Sequence, residues 1–150
     1  MTIQIKPMSL QTVDAVAQIE AECFSQPWSQ DAFVAELSNP AAVTFVADVD
    51  GEIAGFINLG VVLDEATVNN IAVKQTYRRR GIGRALLTAA INYCQNNRLN
   101  MLMLEVRQSN RAAIALYERF GFQAVGIRKR FYDQPEEDAV LMNKNIIAAE

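Results

Sequence analysis

The segment from residue 66 to residue 107 constrains the fold most strongly, because it predicts a strand, a helix and a second strand in succession. Residues 66–74 form an apolar run rich in β-branched side chains, residues 81–97 repeat apolar side chains every four positions, and residues 101–107 form another apolar run. Two strands that are joined by a helix lie parallel in a sheet, through a right-handed crossover. The chain is therefore predicted to contain a parallel strand pair.

The rest of the chain predicts antiparallel strands and flanking helices around this crossover. Apolar runs at 42–48 and 52–62 meet at Asp50-Gly51, which suits a two-residue hairpin turn, and residues 122–131 and 139–145 predict a final hairpin. The remaining predicted elements are a strand at 3–6 and helices between Ser9 and Pro27, at 30–38 and at 110–120. We expect an α+β fold with a mixed, mostly antiparallel sheet, in a single domain of residues 1–150.

Polar and aromatic residues mark the expected ends of the helices. Ser9, Ser29 and Ser109 are the predicted N-caps, and Trp28 and Phe33 flank Ser29 at the spacing of a hydrophobic staple. Gly121 is expected to end the last helix in a left-handed conformation. The first helix is expected to bury one apolar face: Leu10, Val13, Val16, Ala17, Ile19 and Cys23.

Composition excludes several classes of function. The chain has no histidine, which removes Ser/His and Cys/His dyads and the commonest metal ligand, so no metal is predicted. A formal net charge of −3 argues against a general nucleic-acid binder. Cys23 and Cys94 have no CxxC partner and the N-terminus lacks a signal-peptide pattern, so reduced thiols and a cytoplasmic protein are expected. No apolar run is long enough to span a bilayer.

The run Arg78-Arg79-Arg80-Gly81-Ile82-Gly83-Arg84, between a predicted strand and helix, is the strongest chemical signal. The glycines permit a tight turn, and the helix start presents backbone N–H groups, its dipole and several guanidinium groups to one anion. A phosphate or pyrophosphate is the expected guest. The spacing fits neither a Walker loop nor a GxGxxG fingerprint. The alternative is a solvated, purely structural turn.

Glu105 and Tyr117 form a candidate acid/base pair. Glu105 interrupts an apolar strand and shares one face with Met101, Met103 and Arg107, where a carboxylate facing a crevice suits a general base. Its alternative role is an ion pair with Arg107 or another arginine. Tyr117 lies on the apolar face of the helix at 110–120, where core packing is the alternative.

These motifs resemble the GCN5-related N-acetyltransferase (GNAT) superfamily. Arg78-x-x-Gly81-x-Gly83, preceded by residues 70–73 and followed by a helix, is similar to the acyl-CoA signature of that superfamily, and the predicted element order is also similar. Within it the chain resembles the bacterial ribosomal-protein-alanine N-acetyltransferases. The matching stretches cover nearly the whole chain: 24–33, 61–73, 104–107, 109–110 and 113–122.

The resemblance implies an enzyme that moves acetyl from acetyl-CoA to the N-terminal alanine of the eighteenth protein of the small ribosomal subunit. Glu105 would remove a proton from the acceptor amine, Tyr117 would protonate the departing thiolate, and the N–H of Val73 would polarise the thioester carbonyl. The implied acetyl-CoA contacts are Ile71, Ala72, Val73, Arg79, Arg80, Gly81, Ile82, Gly83, Arg84 and Asn110. No covalent acyl-cysteine is implied.

The resemblance also implies where the acceptor binds: between residues 24–28 and residues 131–138. Acidic residues here and nearby are expected to attract a basic N-terminal peptide, or alternatively to be only solvated: Asp64, Glu65, Glu136, Glu137 and Asp138. Members of the superfamily commonly have paired tyrosines where this chain has Phe131-Tyr132. A lysine side chain or small amine as acceptor, or a non-catalytic acyl-CoA-binding module, are the alternatives.

Overall fold

The computed structural model describes residues 1–146 and contains the predicted order of elements. The strands are β1 Ile3–Pro7, β2 Ala42–Val49, β3 Glu52–Val62, β4 Glu65–Val73, β5 Met101–Arg107, β6 Gln123–Tyr132 and β7 Glu137–Asn145. The helices are α1 Val13–Cys23, α2 Gln30–Glu36, α3 Ile82–Asn96 and α4 Arg111–Arg119, with a 3-10 turn at Gln75–Tyr77. The prediction of an α+β fold is confirmed.

The seven strands form one mixed sheet in the order β1-β2-β3-β4-β5-β7-β6. The predicted crossover is present: β4 and β5 pair in parallel through α3, and the other pairings among the described strands are antiparallel. Asp50 and Gly51 have φ angles of 51° and 94°, as the predicted hairpin turn requires. The final hairpin between β6 and β7 is also confirmed.

Two apolar cores lie on opposite faces of the sheet. On one face, the buried side of α3 packs with Leu102, Leu104 and Val106 of β5, and α4 lies against the same core. On the other face, α1 and α2 enclose a smaller core around Phe33 and Phe56. Since Leu104 faces α3, strand alternation directs Glu105 to the opposite face.

A β-bulge at Asn69 separates β4 from β5. The parallel pairing runs only from Glu65 to Val68 on β4, and the register with β3 shifts at the same point, leaving Asn69 as the extra residue. Val68 packs in the core beside α3, whereas Ala72 packs in the core beside α1. The extra residue thus exchanges the two faces of the strand. Past Val68, one edge of β4 is open.

Buried polar side chains hold this bulge in place. The Asn69 side chain donates to Asn58 Oδ1 at 3.0 Å, and Asn58, which is fully buried, donates to Thr44 Oγ1 at 2.7 Å. Asn70 donates to both carboxylate oxygens of Glu20 at 2.8 and 2.7 Å. The bulge is therefore tied to β3 on one side and to α1 on the other.

Two of the three predicted N-caps are wrong. Helix α1 begins at Val13 after Thr12, because Ser9 and Thr12 bond each other in a turn, and Leu10 on that turn is 69% exposed instead of buried. Helix α4 is capped by Asn110, not Ser109, since the Asn110 side chain accepts from Ala113 N–H at 3.2 Å.

The predicted start of α2 is confirmed. Ser29 accepts from Ala32 N–H at 3.1 Å, and the rings of Trp28 and Phe33 lie 5.3 Å apart, so the hydrophobic staple is present. Gly121 follows α4 with a φ of 90°, which confirms the left-handed position expected there.

We predict that Gly55→Ala destabilises the fold where α3 meets the sheet. A Cβ at this position would lie 2.8 Å from the Ala72 carbonyl oxygen and 3.3 Å from side-chain atoms of Ile82 and Leu86. Overpacking of this kind costs about 1–3 kcal/mol. The matched control is Gly126→Ala on β6, where the new Cβ meets Leu141 at 3.6 Å, an ordinary contact. Urea unfolding of both variants measures the difference, and equal stabilities would contradict the prediction.

Candidate active site

A cleft of about 700 Å³ opens where β4 and β5 separate. Its walls come from the carboxyl ends of these strands, from the segment between α1 and α2, and from α4. Residues 131–135, at the end of β6 and in the β6–β7 loop (residues 133–136), complete the walls. The cleft brings together four of the predicted site residues: Ile71, Glu105, Asn110 and Tyr117. Crevices at the carboxyl ends of parallel strands are favoured ligand sites.

The Glu105 carboxylate faces this cleft with its two oxygens in different environments. Oε1 forms an ion pair with Arg128 of β6 at 3.3 Å. Oε2 is buried and has no hydrogen-bond partner among the described residues. An ion pair with an arginine is thus present, yet it engages one oxygen only. A buried, unsatisfied acceptor is costly, so a donor that reached Oε2 would be stabilised there.

Tyr117 is buried in α4 and reaches the cleft from the side of the sheet that carries α3. Its side chain is 6% exposed and packs against Phe122, with ring centroids 5.7 Å apart. Burial raises the pKa of Tyr117 to about 12, and the nearby Tyr132 contributes to the same direction. The phenol therefore keeps its proton at neutral pH and can donate it. Tyr117 therefore packs in the core, as the alternative proposed, and also lines the cleft.

Tyr132 lines the cleft, and it belongs to residues 131–138, the segment that the resemblance implies for acceptor binding. Burial raises its pKa to about 12, with a further contribution from the negative charge of Glu105. The Arg107 guanidinium lies 4.5 Å from the centroid of its ring. The adjacent Phe131 stands nearly perpendicular to it, at 5.0 Å between centroids. The available signal in the sequence was a tyrosine placed between the basic residues 128–130 and the acidic Asp133.

Glu20 is a second site residue that sequence reasoning missed. This α1 carboxylate is 1% exposed, accepts two hydrogen bonds from Asn70, and accepts the Trp28 N–H at 2.9 Å. It thereby joins the bulge of β4 to the α1–α2 loop on the cleft wall. Its position four residues after Val16, on the buried face of the helix, was a signal that could have identified it.

The glycine loop lies at the start of α3, as predicted. Arg79 and Gly81 have φ angles of 64° and 83°. The first backbone hydrogen bond of the helix is donated by the Ala85 N–H to the Gly81 carbonyl oxygen at 3.0 Å. The N–H groups of Ile82, Gly83 and Arg84 therefore have no acceptor four residues earlier in the helix. This arrangement can bind an anion through backbone donors. The loop residues 79–84 lie outside the cleft walls.

The open edge of β4 connects the glycine loop to the cleft. Lys74 N–H bonds Ala54 on β3, whereas the Val73 carbonyl faces away from β3 and accepts from the Arg78 Nε at 3.1 Å. Alternation along the strand therefore directs the backbone groups of Ile71 and Val73 to the open edge. Those of Ala72 face β3, where its carbonyl oxygen lies against Gly55.

The acidic residues are not arranged as predicted for peptide attraction. Asp64 and Glu65 lie at the start of β4, the end remote from the cleft, where Asp64 bonds Asn100. This expectation is wrong because the cleft opens at the other end of the strand. Glu136, Glu137 and Asp138 are in ion pairs with this chain's own cations: Arg130, Arg107 and Lys129. A basic partner would have to compete with these pairs.

The two cysteines are free thiols. Burial raises the pKa of Cys94 to about 11 and also raises the pKa of Cys23, which lines the cleft, although a hydrogen bond from Arg78 opposes the shift there. Raised pKa values make both poor nucleophiles. Within residues 1–146, the acidic and sulfur side chains form no group of three suited to a metal ion. None of the helices described is long and apolar enough to cross a bilayer.

A model of the acetyltransferase (GNAT) family matches residues 13–122. The chain belongs to this family. As a GNAT protein it is an acetyl-transferring enzyme, which agrees with the open strand edge and the glycine loop described above.

Curated relatives resemble the GNAT chain over most of its length. The ribosomal protein bS18-alanine N-acetyltransferase of Escherichia coli strain K12 is 42% identical over 138 residues, which cover 89% of this chain and 93% of the relative. The protein of the same name from Salmonella typhimurium is 40% identical over 140 residues, covering 92% and 94%.

Solved structures share the fold. The crystal structure of the ribosomal-protein-S18-alanine N-acetyltransferase from Escherichia coli superposes with a TM-score of 0.91 at 38% identity, covering 99% of this chain and 97% of that chain. Arabidopsis thaliana NAA60 in complex with acetyl-CoA has a TM-score of 0.87 at 23% identity, covering 97% and 99%, and shows the likeness of fold alone.

We predict that Tyr117 makes the stability of the protein fall in alkaline solution. Its pKa is about 12 in the folded state and 10 as an ordinary tyrosine, so between these values the unfolded chain releases the proton more readily. The Tyr117→Phe variant should therefore lose roughly 1 kcal/mol less unfolding free energy than the wild type between pH 9 and pH 11. Urea unfolding at the two pH values measures this, and parallel losses in both proteins would contradict the assignment.

Proposed function

We propose that this GNAT enzyme transfers acetyl from acetyl-CoA to the N-terminal alanine of ribosomal protein bS18, in the cytoplasm. Two lines of support concern the acceptor. The relatives at 40–42% identity carry that name. Phe24, Trp28, Phe131 and Tyr132 line the cleft, and this aromatic lining is proposed to receive a chain end. A basic acceptor peptide is part of the proposal, and it would compete with Arg130, Arg107 and Lys129 for Glu136, Glu137 and Asp138.

The observation that carries the mechanism is the unpartnered Oε2 of Glu105. An amine acceptor enters as an ammonium ion at neutral pH and must lose a proton before its nitrogen can attack. Glu105 is proposed as the general base that accepts this proton, directly or through water. Because Arg128 engages Oε1, the carboxylate has one oxygen held and one free.

Tyr117 is proposed as the general acid. The amine nitrogen forms a bond to the thioester carbonyl carbon, the carbon–sulfur bond breaks, and Tyr117 supplies the proton that the sulfur takes up. The phenol is protonated at neutral pH, as the role requires, and its raised pKa makes it a weaker acid than an ordinary tyrosine. The N–H of Val73, on the open edge of β4, is proposed to stabilise the developing oxyanion. Neither Cys23 nor Cys94 takes part in the proposed reaction.

Acetyl-CoA supplies the acetyl group as a thioester, and the described residues fit it. We propose that the backbone N–H groups of residues 79–84 bind its pyrophosphate, with Arg79, Arg80 and Arg84 adding positive charge. The open edge at Ile71–Val73 is proposed to pair with the amide-bearing arm in the manner of an added strand. Asn110, which caps α4 on the cleft wall, is proposed as a further contact.

We predict that the wild-type enzyme acetylates a basic peptide with a free N-terminal alanine and leaves an N-terminally blocked, lysine-containing peptide unmodified. The reason is that the aromatic lining of the cleft is proposed to receive a chain end and not a lysine side chain. Mass spectrometry of both peptides after incubation with acetyl-CoA measures the outcome. Transfer to the blocked peptide alone would indicate a lysine acetyltransferase, and silence on both would indicate a small-amine acceptor.

The same assay tests the base. Glu105→Gln should lower kcat about 10²–10⁴-fold, which is the usual contribution of acid–base catalysis, while acetyl-CoA binding measured by calorimetry is unchanged. Glu118→Gln is the matched control, since it makes the same chemical change on the exposed side of α4. Equal rates in the two variants would remove Glu105 from the mechanism.

A further inference from the structure

Arg107, at the end of β5, is engaged in more contacts than an exposed strand end requires. Its Nη1 donates to the Pro135 carbonyl at 2.9 Å, and its Nη2 donates to the Asp133 carbonyl at 3.1 Å. Nη1 also pairs with a Glu137 carboxylate oxygen at 3.2 Å, and the guanidinium lies over the Tyr132 ring. One side chain thus holds the β6–β7 loop at both ends.

Glu137 extends this arrangement to the start of α4. Its second carboxylate oxygen accepts the Ser109 N–H at 2.6 Å, two residues after Arg107 in the chain. Hydrogen bonds from Ser109, with a smaller effect of Arg107, hold the pKa of Glu137 below its usual value. The carboxylate is therefore charged at neutral pH and balances the guanidinium, with 18% of the Glu137 side chain and 27% of the Arg107 side chain exposed.

The loop that Arg107 holds is one wall of the cleft. Asp133, Gln134 and Pro135 line the cleft, as does Tyr132, on whose ring the guanidinium stacks. Of the proposed acetyl-CoA contacts, Asn110 adjoins this arrangement, one residue after Ser109, whereas the glycine loop and the open edge of β4 lie on other parts of the chain. A change in the position of the β6–β7 loop would therefore alter the space for the acceptor and leave the glycine loop and the edge of β4 unchanged.

We propose that Arg107 is a positioning residue for the acceptor: it fixes the β6–β7 loop and Tyr132 in the form that receives the acceptor's chain end. This inference rests on the proposed function. The fork of the guanidinium is essential to it, because it reaches two carbonyls and a carboxylate while stacking on an aromatic ring, which a lysine ammonium cannot reproduce.

The same contacts protect Glu105. Arg107 and Glu105 lie two residues apart on one face of β5, so an unengaged guanidinium would be free to pair with the Glu105 carboxylate. The charged and titratable groups near Glu105 are Arg128 and the neutral Tyr132 of β6 and Arg107 of its own strand. Because Glu137 and the loop carbonyls hold Arg107, Oε2 of Glu105 stays free for the acceptor.

The test compares Arg107→Lys with Arg119→Lys, the same exchange at an exposed position of α4. Steady-state kinetics with the N-terminal alanine peptide give KM for the peptide, KM for acetyl-CoA, and kcat. Arg107→Lys should raise the peptide KM about tenfold and change the acetyl-CoA KM by less than about threefold. Its kcat should fall as well, because a cation released from the loop can pair with Glu105. Amide hydrogen exchange should increase at residues 132–137 and stay unchanged in β4 and α3. The control should match the wild type in every measurement.

The outcomes separate this inference from the proposed function. A wild-type enzyme that acetylates neither the alanine peptide nor the blocked peptide contradicts the proposed function, and the acceptor role of Arg107 with it. An active wild type together with an Arg107→Lys variant that behaves like the control overturns the inference alone. A lower kcat together with an equal rise of the peptide KM and the acetyl-CoA KM, and with faster exchange throughout the sheet, shows a general structural role and also overturns the inference.

Discussion

The separation of β4 from β5 after Val68 is the constraint on which the rest of the site depends. One additional residue, Asn69, ends the parallel pairing and turns the following residues of β4 to the opposite face. The buried side chain of Asn58 and the carboxylate of Glu20 hold this irregular backbone from two directions. The result is a rigid strand with one free edge, beside a cleft that reaches both faces of the sheet.

The charges around the cleft are arranged so that one acceptor atom stays unused. Two arginines lie near Glu105, but Arg107 is engaged by the β6–β7 loop and Arg128 bonds only one carboxylate oxygen. The phenols of Tyr117 and Tyr132 are protonated at neutral pH, and burial raises both of their pKa values further. A carboxylate and a protonated phenol therefore share a single cleft, as the proposed acid–base roles require.

Much of the fold could be predicted because local signals and topology agreed. The turn at Asp50-Gly51, the staple around Ser29 and the crossover each depend on a few neighbouring residues. The bulge could not be predicted, since Asn69 is an ordinary polar residue in a strand and only its tertiary contacts mark it. The misplacement of Asp64 and Glu65 has another origin: both lie at the start of β4, whereas ligand crevices form at the carboxyl ends of parallel strands. Glu20 was missed because a carboxylate on a buried helix face was not expected.

The most direct test of the account is the pH dependence of acetyl transfer by Glu105→Gln to the N-terminal alanine peptide, compared with the wild type. An α-amino group has a pKa of about 8, so above roughly pH 9 most of the acceptor has already lost the proton that Glu105 is proposed to remove. The account predicts that the deficit of the variant shrinks steadily between pH 7 and pH 9.5. A deficit that stays constant across this range would contradict the role of Glu105 as the base.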